Sequence, residues 1–134
     1  MRRRLILVTL LMMLSSGPAF AEWAKVGSNE EGETTAYADL ETIQWKGNIV
    51  NWWELIDHTT ARPMTGGSFF LSMKAHREYD CSAELHRTLN EIFYSGNMGS
   101  GEVGSTNSKV RRWEGVPPGE SVAQALWKRA CAKP

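Results

Sequence analysis

Two histidines, His76 and His86, stand five residues either side of Cys81 in "HREYDCSAELH". A three-residue turn at Asp80-Cys81-Ser82 would set them directly opposite on paired strands, where with Glu78 or Glu84 they could share a transition metal or supply an axial ligand. A slip of one residue in register would put them on opposite faces and leave two solvated polar-face histidines. The second stretch of chemical interest is "YSGNMGSGEV", residues 94–103, which carries Gly96, Gly99 and Gly101. Dinucleotide loops run G-x-G-x-x-G into a helix, and phosphate loops place a lysine and a hydroxyl after the last glycine. Here the spacing is G-x-x-G-x-G, and Glu102 follows, whose charge opposes a phosphate. The glycines are therefore expected to supply positive φ at a bulge or a sharp strand reversal.

Nucleophilic catalysis has little to draw on. No G-x-S-x-G elbow is present, and Ser121, which precedes a helical pattern, is better used as its cap. His58 follows Asp57 directly, so on a strand the two point to opposite faces. Glu30 and Glu31 sit in a polar turn where solvation explains them. No catalytic residue, no metal centre and no enzymatic activity are expected. Aromatic residues are enriched where proteins bind one another, which makes Trp45, Trp52 and Trp113, among six tryptophans, candidates for an exposed binding face.

The elements that position these residues lie between a leader and a final helix. Arg2, Arg3 and Arg4 precede an apolar run from Leu5 to Leu14 and an Ala19-Phe20-Ala21 site, the pattern of a secretory signal cleaved between Ala21 and Glu22. A membrane span needs about 20 apolar residues in a row, and a lipid anchor needs a cysteine at the new N-terminus. Residues 1–21 are thus expected to leave, and residues 22–134 to form one domain with neither a transmembrane segment nor a lipid anchor. Losing three arginines leaves 12 basic residues against 15 acidic ones, a formal charge of −3, which disfavours nucleic acid as a partner. Cys81 and Cys131 are the whole cysteine inventory, and in an exported chain an even count reads as one disulfide.

From Glu22 to Val103 apolar and polar residues mostly alternate, which predicts strands. Expected segments are Trp23 to Val26, Thr34 to Ala38, Gln44 to Lys46, Ile49 to His58, Phe69 to Tyr79 and Ala83 to Tyr94. Asp39 to Ile43 resembles a single helical turn, Thr59 to Ser68 a surface loop, Gly104 to Lys109 a connection, and Val110 to Trp113 a last edge strand. Ser121 with Gln124 fits a capping box, and on the following helix Val122, Ala123, Leu126, Trp127, Ala130 and Cys131 share one half. The expected architecture is α+β: an antiparallel sheet of about six strands, with a C-terminal helix packed on one face and tethered by the disulfide.

With these residues laid out, the fragments "EWAKVG", "TTAYADLETI", "GNIVNWWELID", "SMKAHREYDC", "YSGNMGSGEV", "VPPGES" and "ALWKRAC" together resemble the surface-adhesin protein E family of bacterial envelope proteins. The resemblance implies an antiparallel sheet joined to a C-terminal helix by one disulfide, here Cys81 to Cys131. It also implies a non-enzymatic binding module, exported to the periplasm or the cell surface. Its partner would be a protein such as vitronectin, laminin or plasminogen, from the host matrix or serum. Pairing of edge strands with a second copy would give a homodimer. The second reading is a periplasmic binder of a small apolar or haem-like ligand, with His76 or His86 as the axial group; otherwise no cofactor is expected.

Overall fold

The structure is a computed structural model and describes residues 22–133. The leader and the Ala21 side of its expected cleavage point lie outside the described residues. The alternating segments form strands β1 (Ala24–Ser28), β2 (Thr34–Lys46), β3 (Ile49–Pro63), β4 (Phe69–Asp80), β5 (Leu85–Tyr94), β6 (Val103–Asn107) and β7 (Glu114–Gly115), followed by helix α1 (Val122–Cys131). They make one seven-stranded sheet, in which β1 to β6 follow chain order and β7 pairs with the far side of β5. Every pairing is antiparallel.

Three segments differ from the sequence reading. Asp39 to Ile43 is no helical turn but an interruption inside β2: pairing with β3 is regular through Asp39↔Trp53 and resumes at Gln44↔Asn51. Thr59 to Pro63 continues β3, past a second irregularity, and leaves Met64 to Ser68 as the hairpin connection. Gly104 to Asn107 belongs to β6, whereas Val110 to Trp113 is not a strand, and the last edge pairing is made by Glu114 and Gly115 against His86 and Leu85.

The core lies between one sheet face and the helix. Ala36 and Ala38 of β2, Val50 and Trp52 of β3, and Tyr79 of β4 are fully buried beneath Leu126 and Ala130 of α1. The alanines keep this part of the sheet low enough for a helix to settle on it. At Gly27 a Cβ would stand 3.3 Å from the Cβ of Ala125, so a glycine on β1 suits the close approach of α1. Burying a side chain such as Leu126 contributes about 1.5–3 kcal/mol.

Both ends of α1 are fixed. Ser121 Oγ accepts the Gln124 backbone N–H at 3.0 Å, the expected cap. The reciprocal half of the box is not made: Gln124 is buried, and its Oε1 finds no partner among the described residues. At the other end Trp127 Nε1 donates to Asp80 O at 3.1 Å, and the Cys81–Cys131 disulfide, with Cα atoms 5.5 Å apart, ties the helix to the β4–β5 corner. Its 50-residue separation makes it worth about 4 kcal/mol in the chain-entropy account.

Candidate functional site

Strand alternation gives the sheet two unlike faces. On β3, Val50, Trp52 and Glu54 turn toward the helix side, while Asn51, Trp53, Leu55 and Asp57 turn away from it. Cross-strand partners extend the outer face: Trp53 pairs with His76, Leu55 with Lys74 and Asp57 with Ser72.

The outer face is organised by aromatic rings and cations. Trp53 stacks on His76 with centroids 5.1 Å apart and planes 12° from parallel, and His76 Nε2 lies 2.9 Å from Asn51 Oδ1. The Lys74 ammonium sits 5.8 Å from the Trp23 ring and 5.1 Å from that of Tyr94. Further along, Arg87 bridges Glu78 at 2.7 Å and covers Trp113 at 4.4 Å. All of these side chains are half-buried, each held by a neighbour yet reachable from solvent. Burial holds the His76 pKa below its usual 6.5, against the opposing pull of Glu78.

The glycine stretch closes one end of this face. Residues Asn97–Gly99 form a single 3-10 turn with Met98 at φ 55° and Gly99 at φ 72°. Asp57 Oδ1 accepts from Met98 N at 2.8 Å and from Asn97 Nδ2 at 3.2 Å, and Ser72 Oγ donates to Gly96 O at 2.6 Å. A carboxylate of the chain itself therefore occupies the Met98 N–H and the Asn97 amide, and Ser72 Oγ accepts the Gly99 N–H. A Cβ on Gly99 would come within 2.7 Å of Lys74 Cε, so the glycine lets the loop lie flat on the outer face.

The helix side carries a buried polar group of a different kind. Glu54 is fully buried; its Oε1 accepts from Tyr79 Oη at 2.5 Å and from Trp52 Nε1 at 3.1 Å, and its Oε2 lies 3.4 Å from Arg77 Nε. That last approach is an ion pair by distance only, since neither atom achieves hydrogen-bond geometry. Burial and then Glu54 raise the Tyr79 pKa well above 10.0, which keeps the phenol a donor. For Arg77, burial alone would lower the pKa, but Glu54, Tyr79 and the neighbouring acids outweigh it and raise the value above that of a free guanidinium. Arg111 pairs with Glu91 at the margin of this group.

The seven candidate side chains therefore scatter. Cys81 and Cys131 are joined. His76 and His86 do not meet: the β4–β5 turn is Cys81 to Glu84, which pairs Tyr79 with His86 and puts the two histidines on opposite faces. His86 lies 3.4 Å from Arg77 Nη1, and burial, then Arg77, lowers its pKa despite Glu114. Trp52 is 0% exposed and is a core residue, not part of a binding face. Trp45 is half-buried beside the end of α1, under the Lys133 ammonium at 5.5 Å, and Trp113 is half-buried under Arg87. The residues missed are Trp23, Trp53, Lys74 and Tyr94; the alternation of "IVNWWELID" already divides Trp53 from Trp52, but it does not say which side the helix takes.

A hydroxyl–imidazole contact, Thr34 Oγ1 to His58 Nδ1 at 2.9 Å, is a cross-strand register pair, and Asp57 is engaged by the glycine loop, so no acid orients that ring. Among the described residues no group of three or more His, Cys, Asp or Glu side chains is placed to hold a metal ion. Nor, among them, is any helix long and apolar enough to cross a membrane. What the outer face offers is stacking, cation–π and charge-assisted contact with a partner.

The family model for surface-adhesin protein E matches residues 23–132. Comparison with curated proteins gives no match. Among solved structures, crystal form II of Haemophilus influenzae protein E superposes with a TM-score of 0.61 at 13% identity, covering 85% of this chain and 91% of that one. The selenomethionine form of the same protein gives 0.59 at 13% identity, over 85% and 90%. Protein E from non-typeable Haemophilus influenzae gives 0.58 at 13%, over 85% and 79%. At this identity the likeness concerns the fold.

Proposed function

The chain belongs to the surface-adhesin protein E family, and from that premise we propose that it is a non-enzymatic, exported, adhesin-like envelope protein whose outer sheet face docks a protein of the host matrix or serum. One observation carries the reading: α1 packs on one face of the sheet only, and the other presents Trp23, Trp53, Lys74, His76 and Tyr94 as a set of half-buried, mutually braced side chains. Bracing matters because a side chain already held by its neighbours loses less freedom when a partner covers it. Tryptophan and tyrosine are also the residue types on which interface energy concentrates. The −3 charge expected of the mature chain leaves Lys74, which enters no ion pair among the described residues, as a local attractor for an acidic patch.

The test is binding of the purified mature chain, residues 22–134, to immobilised vitronectin, laminin and plasminogen. Saturable binding to at least one, weakened roughly tenfold or more by Trp53→Ala combined with Lys74→Ala, supports the reading. Failure to bind any of the three, or undiminished binding by the double variant, contradicts it.

A further inference from the structure

The interruption in β2 builds a cavity on the helix side, remote from the outer face. Leu40, Glu41, Thr42 and Ile43 have no partner on β3, and the detour they make is held by side chains. Asp39 Oδ1 accepts the Glu41 N–H at 3.1 Å, and Thr42 Oγ1 donates to Asp39 O at 2.7 Å. The same Thr42 Oγ1 accepts the Trp53 N–H at 2.9 Å, satisfying the strand donor that the detour would otherwise leave open. Strand irregularities of this kind recur beside functional sites, where they re-aim side chains. Here the result is that Leu40, 38% exposed, and Ile43 stand beside Trp45 as an apolar wall facing the last turn of α1.

The cavity so formed measures about 630 Å³ and is lined by Leu40, Ile43, Trp45, Gly47, Arg129, Ala132 and Lys133. That volume suits a small-molecule ligand. Its lining is apolar except for two groups, Arg129 and Lys133, and both are cations. Neither enters an ion pair among the described residues, and Lys133 instead rests its ammonium over the Trp45 ring. Among the described residues no acidic side chain lines the cavity. An apolar trough with a purely cationic rim is complementary to a molecule that is a hydrocarbon chain at one end and an anion at the other.

We propose that this cavity binds a single-chain amphipathic anion of the fatty-acid class, its alkyl chain against Leu40, Ile43 and Trp45 and its carboxylate between Arg129 and Lys133. The site uses none of the outer-face residues, so it stands or falls independently of protein docking there. Carboxylate binding draws Lys133 off the indole, which makes Trp45 a reporter.

Dodecanoate, titrated calorimetrically below its micelle concentration into the disulfide-intact chain, tests this. The expected result is saturable one-to-one binding, weakened roughly tenfold or more by Arg129→Ala with Lys133→Ala and by Leu40→Asn. All three positions are at the surface, and an unchanged melting temperature shows that each variant is folded. Trp45→Phe should abolish the change in tryptophan emission on addition of dodecanoate. Absence of saturable binding, equal affinity in the double-cation variant, or equal binding of dodecyltrimethylammonium would each overturn the proposal.

Discussion

Trp52 and Trp53 are adjacent in the chain and opposite in use. Trp52 is 0% exposed, lies 6.0 Å edge-on from Tyr79, and donates to a buried Glu54. Trp53 stacks on a histidine at the half-buried surface of the other face. The contrast extends to the whole sheet. On the helix side, polar groups are spent on one another and the disulfide locks the cover in place. On the outer side, beyond the glycine loop that covers Leu55 and Ser72, they pair with one another but stay only half-buried. One strand can thus hold a scaffold on its even positions and a presentation surface on its odd ones, because side chains alternate.

The sharpest way to break this contrast is to truncate each indole in turn. Trp52→Ala should cost about 3–5 kcal/mol in denaturant unfolding, through the cavity it leaves and the donor it removes from Glu54. Trp53→Ala should cost only about 1 kcal/mol. Equal losses at the two sites would erase the distinction. Next in size is the clamp: replacing both Cys81 and Cys131 by Ser should lower stability by about 2–5 kcal/mol, and free-thiol titration of the unreduced native chain should find none.

Tyr79→Phe comes third. It deprives Glu54 Oε1 of one of its two donors where both side chains are fully buried, and a loss of about 1–3 kcal/mol is expected. A neutral result would mean that Glu54 Oε1 does not depend on the Tyr79 hydroxyl.

The smallest effect involves both faces. Burial lowers the folded pKa of His58, of His76 on the outer face and of His86 on the helix side, each from 6.5. The unfolded chain therefore takes up protons first as pH falls through that value, and stability must decline on acidification. The melting temperature should be lower at roughly pH 5.5 than at roughly pH 7.5, and His76→Asn should shrink the difference. A flat or rising profile toward acid would contradict this.

Much of this arrangement was legible in the alternation and the cysteine count: the antiparallel sheet, the final helix, its Ser121 cap and the single clamp. What escaped has physical causes. Asp39 does accept a backbone N–H, as its position suggested, but it does so within a strand detour, and one hydrogen bond cannot distinguish that from a helical turn. Thr59 to Pro63 loses the apolar alternation because most of it is exposed, although the backbone goes on pairing. His76 and His86 were separated by the length of a turn, which local sequence specifies poorly: a four-residue connection reverses the parity that a three-residue one would give. Trp52 and Trp53 could be assigned to different faces from sequence, yet which face the helix covers depends on Ala36, Ala38 and Gly27 on neighbouring strands.

The division of labour between the faces is tested most directly by oxidative side-chain footprinting, with and without a bound matrix or serum protein. Trp23, Trp53 and Tyr94 should be protected in the complex, while Trp45 and Leu40, on the helix side, keep their free rates. Protection of Trp45 and Leu40 with Trp53 unchanged would contradict the account.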